Sequence, residues 1–322
     1  MTVSNQRTSL RRLFNILGPF LGLLLVVGLF SLSPTLRPVF LTADNFKIIL
    51  TQTVIVAIGT LGMTVIIVSG GIDLSVGSVV ALTSVVGAVT LVKGHSALTA
   101  ACLTIAVGGL IGLINGLIIG GLRMMPFIVT LGMMGIARGT AKWLSGSQTV
   151  NTPENKINDI MDPTGGALPR GVWITLSLAI LMALVMRGTV FGRYVFAIGA
   201  NEAAARLSGI RVRLQKVMIY TLAGLFFGTA GLMQLSRLTQ GDPTVAIGLE
   251  LDIIAAVVIG GASLNGGTGS ILGSMIGALI MAVLRNGSNQ MGWPTYMQEI
   301  IIGVVIIIAV ALDKLRQGGM KG

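Results

Sequence analysis

The stretch from Ile48 to Val92, IILTQTVIVAIGTLGMTVIIVSGGIDLSVGSVVALTSVVGAVTLV, contains a single charged side chain, Asp73. Two apolar runs, near 48–68 and 74–92, flank the break Ser69-Gly70-Gly71-Ile72-Asp73-Leu74-Ser75. A helix needs about 20 apolar residues to cross the hydrocarbon core of a bilayer, so this pattern reads as two membrane crossings joined by a tight, glycine-rich turn. An acidic group at membrane depth costs roughly 2.5–3.5 kcal/mol on insertion scales. It persists only with a partner, with water, or near an interface. Gly70 and Gly71 end one helix without steric penalty, and Asp73 or Ser75 can cap the next by accepting its free backbone N–H bonds. Two readings of Asp73 stay open: a structural cap at a broken helix, or a polar group on a solute path.

The same pattern fills the chain. Ten candidate spans lie near 14–33, 48–68, 74–92, 97–121, 126–144, 171–187, 215–235, 250–264, 269–285 and 297–312, so the expected fold is all-α, a single polytopic membrane domain over residues 1–322. The third, eighth and ninth spans are interrupted by glycine. Composition agrees: 53% of the 322 residues are hydrophobic and 10% charged, against about 25% charged in a soluble domain. Too few charges are present to coat a soluble surface of this size. Glycine is abundant at 45 residues, which suits helices that associate in lipid by close packing rather than by hydrophobic force. The run from about Phe14 to Leu32 is longer than a signal-peptide core of about 7–15 residues and reads as a retained first span.

The net charge of +11 would suggest nucleic acid in a soluble protein. Here the basic residues sit at span ends and act as topology determinants. With ten spans, Arg7, Arg11 and Arg12 of a basic tail (1–13) share one side with Arg123, with the cluster Arg187, Arg193, Arg206, Arg211, Arg213 and Lys216 between spans six and seven, in and beside the loop 188–214, and with Lys314, Arg316 and Lys321 of the second tail (313–322). These are more than half of the 22 Lys and Arg, so that side is expected to be cytoplasmic. The longest opposite connector, from about Ser145 to Arg170, is polar and turn-rich, and with the one near Ser236–Gly248 it can receive a soluble partner. Trp143, Trp173 and Trp293 fall near span ends, as interfacial anchors do.

Several segments carry chemistry. In the loop after span six, Asn201 is a good N-cap, Glu202 sits at the positive end of the helix dipole, and Arg206 lies four residues on. Ala203, Ala204 and Ala205 make the helix slim, and Ser208-Gly209 can close it. The segment Gly260-Gly261-Ala262-Ser263-Leu264-Asn265-Gly266-Gly267-Thr268-Gly269-Ser270 looks like a phosphate loop, but no Gly-Lys pair occurs in the chain, so the lysine such a loop needs is missing. Val258–Ala262 echoes Val68–Ile72, a pairing that transporters built from two repeats often show. Asn115, among Gly108, Gly109, Gly112 and Gly116, is either helix glue or path lining; Thr130 and Asn289 are further polar groups within spans. The one His (His95, in a polar connector) and one Cys (Cys102, read as inert packing) leave no histidine- or cysteine-rich metal cluster. No catalytic signature and no cofactor motif is seen, so the chain is not expected to be an enzyme.

Three motifs in order, Gly70–Gly77 (GGIDLSVG), Ala197–Ile210 (AIGANEAAARLSGI) and Val258–Ser274 (VIGGASLNGGTGSILGS), resemble the ribose/xylose/galactose-type permeases of bacterial ABC importers from span two to the C-terminus. That resemblance implies an inner-membrane permease for a small sugar that works by alternating access. It implies partners: an ABC ATPase subunit that hydrolyses ATP, a periplasmic or lipoprotein sugar-binding protein, and a second permease copy or paralogue. It also implies that Asn201–Gly209 is the helix coupled to the ATPase. Gly70, Gly71, Asp73, Ser75, Asn115, Gly260, Gly261 and Asn265 are the candidates for the path or its broken helices. An ion- or proton-coupled secondary carrier is the alternative.

Overall fold

The computed structural model describes residues 3–34, 36–162 and 166–318. Helix α1 runs Val3–Ser31, followed by the single turn α2 (Arg37–Phe40), α3 (Ala43–Val68), α4 (Val76–Val92), α5 (Ala97–Gly121) and α6 (Pro126–Ser145). After the short strand β1 (Val150–Asn151) and a 3-10 turn (Asn158–Ile160) come α7 (Arg170–Gly188), α8 (Val190–Ala200), α9 (Glu202–Leu207) and α10 (Val212–Leu238). Strand β2 (Gln240–Gly241), α11 (Leu249–Ile259), α12 (Ile271–Gln290) and α13 (Thr295–Gly318) complete the chain. The two strands form a two-residue antiparallel ladder. Every expected span falls on a helix. Among the described residues, α3, α5, α7, α10 and α12 are each long and apolar enough to cross a membrane.

Local chemistry sets the helix starts. Thr42, Ser96, Thr189, Asn201 and Ser270 each accept a hydrogen bond from a backbone N–H of the first turn, and Pro126 opens α6, where a missing N–H costs nothing. The basic tail is helical from Val3 as the start of α1; residues 1 and 2, and 319–322 of the second tail, lie outside the described residues.

Helix α3 is the axis of the bundle. Every residue from Thr53 to Ser69 is buried, and α10, α12, α11 and α7 pack around it. The tightest seam joins α5 to α10. Gly108, Gly112, Gly116 and Gly120 recur at a helical spacing of four and meet the backbone of Gly224, Tyr220, Val217 and Arg213. A methyl group at Gly112 would collide with the Tyr220 carbonyl. This is how small residues substitute for the hydrophobic effect between helices in lipid. Cys102 lies on the outer face of α5 and is exposed. It is therefore not packed inside, because the glycine face of α5 is the one turned inward. His95 is exposed in its connector.

The eighth expected span, 250–264, needs correction. α11 has 11 residues, about 16 Å of helix, against roughly 30 Å of hydrocarbon. The missing length comes from residues 242–248. Gly241 lies against Val85 and Ala88, far along α4, while Ala246 and Glu250 lie against Gly77 at the start of α4. Irregular backbone thus runs alongside α4 within the bundle before α11 begins. Such backbone survives at membrane depth only when its polar groups are met by protein. Arg138 of α6 does this, with Nη1 donating to the carbonyls of Pro243 (2.8 Å) and Val245 (2.7 Å). Asp242 Oδ1 accepts from the Thr244 backbone N–H (2.7 Å) and hydroxyl (2.6 Å).

Part of the connector from Ser145 to Arg170 is packed rather than solvated, with Ile157 and Met161 buried. Ser236 Oγ donates to the Ile157 carbonyl (2.6 Å) and accepts from the Met161 N–H (3.0 Å), and β1 pairs with β2. Trp143 and Trp173 flank this end and are exposed, as anchors in an interface would be.

Candidate functional site

Three polar features interrupt the apolar bundle. The first surrounds Asp73. The helix break places its carboxylate in the interior, 2% exposed. Oδ1 accepts from the Ser75 backbone N–H (2.8 Å) and from the Ser75 hydroxyl (2.6 Å), and Oδ2 faces Asn115 Nδ2 at 3.4 Å. Thr130 Oγ1 accepts from the Leu74 N–H (3.1 Å). Asp73 therefore caps the turn, whereas Ser75, although it is the N-cap residue of α4, makes no capping bond of its own, because its hydroxyl is spent on Asp73. Tyr220 packs its hydroxyl against Gly71. The Tyr220 hydroxyl and Asn115 Oδ1 are buried with no hydrogen-bond partner in the structure.

The second feature lies where the three glycine-bearing motifs meet. α3 and α11 end alike: Gly70 (φ +83°) and Gly261 (φ +91°) take the left-handed conformation. Gly71 N–H bonds back to the Ile66 carbonyl (3.0 Å), and Ala262 N–H to the Val257 carbonyl (3.1 Å). These are the closures expected of a Schellman end. The loop after α11 reaches α3, with Gly267 N–H donating to the Val68 carbonyl at 2.8 Å. Gly199, near the end of α8, is wedged against that same carbonyl and the Gly267 nitrogen, and Gly266 lies against Gly199 and Gly70. Gly260 packs on Gly273 at the start of α12, and the Asn265 N–H is held by Ser263 Oγ (3.2 Å).

Helix α9 projects from this junction. Asn201 Oδ1 accepts from the Ala204 N–H (3.0 Å), Ser208 Oγ donates to the Ala204 carbonyl (3.0 Å), and Gly209 closes the turn at φ +85°. Ala205 is buried against Ile198 and Val212, while Ala203 and Ala204 are exposed. Glu202 bonds to Arg206 and to Lys216, each at 2.7 Å. Partial burial pushes the Glu202 carboxyl up, but the hydrogen bond and charge of Lys216, with those of Arg206, outweigh it and hold the group below the ordinary carboxylate range. Leu207 is 91% exposed, an apolar side chain at the tip of a polar projection that sequence reading passed over.

The third feature is a cavity of about 310 Å³ between α3, α10, the segment 246–249, α11 and α12. Gln52, Gln234, Arg237, Asp252, Arg285 and Asn289 contribute its polar wall, and Ile55, Val56, Ile247 and Met281 part of its apolar wall. Arg285 binds Asp252 through Nε (2.9 Å) and Nη2 (2.5 Å). Asn289 accepts from Gln298 (2.7 Å). Gln52, Gln234 and Arg237 make no hydrogen bond to the described residues. Convergent donors and acceptors in an apolar frame describe a site for a small polar solute. None of Gly70, Gly71, Asp73, Ser75, Asn115, Gly260, Gly261 and Asn265 lines this cavity; they build the buried knot and the junction beneath it. The signal for Gln52 and Gln234 was present, as a lone amide in each of two apolar runs, but nothing local says that they converge.

Comparison with known proteins places this architecture. The family model described as branched-chain amino acid transport system / permease component matches residues 45–310. The ribose import permease protein RbsC of Escherichia coli (strain K12) is 41% identical over 300 residues, covering 92% of this chain and 94% of the relative. RbsC of Bacillus subtilis (strain 168) is 42% identical over 309 residues, 93% of each chain. The fructose import permease protein FrcC of Rhizobium meliloti is 36% identical over 301 residues, 91% and 84%. No solved structure matches the chain significantly. With a family model spanning most of its length and relatives this similar over nearly all of it, the chain belongs to the branched-chain amino acid transport system / permease component family, as a multi-pass membrane permease.

Proposed function

We propose that this chain is the sugar-translocating permease subunit of an ATP-driven importer, and that the cavity bounded by Gln52, Gln234, Arg237, Asp252, Arg285 and Asn289 is where a monosaccharide is held during passage. The cavity carries the reading. A sugar presents hydroxyls that both donate and accept. Three amides, a free guanidinium and an ion pair offer the complementary set, and about 310 Å³ lies at the small end of ligand pockets, roughly 300–1,000 Å³. The relatives' names, for ribose and fructose import, support sugar over other small solutes, with a ribose-like monosaccharide favoured.

Energy comes from a partner. α9 is the contact for an ABC ATPase subunit: it protrudes, is capped at both ends, and offers Leu207 as an apolar knob. The Gly199 junction ties it to α3 and to the loop joining α11 and α12, and both of those helices line the cavity. Movement of α9 therefore reaches the sugar site through packed backbone. Two copies of the chain, or a copy and a paralogue, form the path, with both termini and α9 cytoplasmic and the β1–β2 face presented to a sugar-binding protein.

The test is uptake into proteoliposomes holding this chain, its ATPase and its binding protein. Ribose uptake should require hydrolysable ATP and persist with an ionophore. Uptake that survives loss of ATP hydrolysis and collapses with the ionophore would establish the secondary carrier instead.

A further inference from the structure

We propose that the cleft between the α5–α6 turn and the α9–α10 turn binds the headgroup of an anionic phospholipid. The cleft encloses about 400 Å³ and is lined by Arg123, Arg206, Arg211 and Arg213 over a floor of Ile210, Val212 and Leu214. Four arginines contribute to this lining, with no acidic side chain among the lining residues. Glu202 serves Arg206, but the side chains of Arg123, Arg211 and Arg213 make no ion pair or hydrogen bond with the described residues. Arg123 is held in the strained left-handed region at φ +57°. Arginines that line one cleft without an acidic residue beside them in the lining call for an anion, and the planar fork of arginine matches phosphate oxygens two at a time.

The surroundings decide which anion. Leu122, Met124, Met125, Phe127 and Ile128 stand exposed around Arg123, and the cleft floor is itself apolar. A phosphodiester attached to acyl chains satisfies both halves, since its phosphate meets the guanidiniums while its chains cover the apolar rim. Inorganic phosphate, or the acidic surface of a soluble partner, satisfies only the first. Basic pockets at the ends of membrane helices bind lipid headgroups in this way. Through Arg206 the lipid would brace the last turn of α9. The inference rests on the membrane reading of the chain and is independent of the sugar and the ATPase.

The full chain would be purified into nanodiscs of phosphatidylcholine alone, or of phosphatidylcholine doped with phosphatidylglycerol, and read by native mass spectrometry and thermal unfolding. Three surface guanidiniums give a roughly 100-fold preference for phosphatidylglycerol, with a raised unfolding midpoint. Arg123→Gln/Arg211→Gln/Arg213→Gln should abolish that preference. Arg123→Gln alone, at an exposed turn that tolerates it, should weaken it and covers the case in which the triple variant does not fold. A control triple, Lys93→Gln/Lys142→Gln/Arg170→Gln, removes equal charge elsewhere and should leave the preference intact. The proposal is overturned if the control loses as much, which means bulk charge only. It is equally overturned if inorganic phosphate gives the same protection as the lipid, or if the arginine variants keep the preference.

Discussion

At the scale of single residues, the pair Asp252–Arg285 separates two kinds of damage. The Asp252 side chain is 5% exposed and that of Arg285 36%, so the carboxylate depends on its partner while the guanidinium also reaches the cavity. Arg285→Met strands a buried charge and should cost about 3 kcal/mol. Asp252→Asn leaves an arginine that can turn toward the cavity and should cost nearer 1 kcal/mol. The double variant Asp252→Asn/Arg285→Met should recover part of the loss, which a double-mutant cycle by denaturant unfolding in detergent will show. All three should lower sugar uptake. Asp73 calls for a different result. Its carboxylate organises Ser75 and faces Asn115, and none of the three lines the cavity, so Asp73→Ala should reduce the folded yield in the membrane and leave the substrate range of the surviving protein unchanged. Competition by other sugars against uptake of labelled ribose measures this, and a changed range at normal yield would put Asp73 on the path.

At the scale of elements, α9 joins electrostatics to coupling. Glu202 is held below its ordinary value when folded. It therefore stabilises the α9–α10 turn above its unfolded pKa, and that contribution disappears as pH falls through the lowered folded value. At 40% side-chain exposure the effect on stability is small, because solvent screens it. Glu202→Lys has the larger consequence: it sets a third cation beside Arg206 and Lys216 at the positive end of a helix dipole. ATPase activity should run on without uptake while insertion is unchanged, measured as moles of ATP hydrolysed per sugar moved. Gly199→Ala tests the junction. Its methyl group would meet backbone on two sides, the Val68 carbonyl and the Gly267 nitrogen, neither of which can swing aside as a side chain would. A cost of about 1–3 kcal/mol and the same uncoupling are expected. The contrast between α9 and α11 shows what sequence discloses. Asn201, Glu202, Arg206 and Gly209 punctuate α9 within nine residues, and its boundaries follow from local chemistry. The apolar run through α11 hides a half-length crossing, because the irregular backbone before it is held by Arg138, 105 residues away from Pro243. The cavity was hidden for the same reason: Gln52, Gln234 and Arg285 each read as an isolated polar residue until tertiary packing brings them together.

At the scale of the whole molecule, the direction of each crossing decides whether the machine can work as proposed. α3 ends, α8 ends and the loop 263–268 meet at one point, so these three lie at one end of the bundle. The β1–β2 ladder and the ordered connector 146–162 sit beside the far ends of α4 and α10. If the first end faces the ATPase, a probe must find α9 and the connector on opposite sides of the membrane. Cys102 is exposed on the outer face of α5, so Cys102→Ala removes the one native thiol at little cost to packing. On that background Ser208→Cys and Asn155→Cys place single thiols beside α9 and on the connector, the first at an exposed and the second at a half-buried position. A membrane-impermeant maleimide applied to intact spheroplasts should label Asn155→Cys fully, and Ser208→Cys only after the membrane is opened. If the chain crosses ten times as expected, thiols added beside Lys314 should behave like Ser208→Cys. Labelling of Ser208→Cys from outside would put α9 out of reach of any ATP-hydrolysing subunit. The bundle would then lack a route by which ATP could drive its cavity.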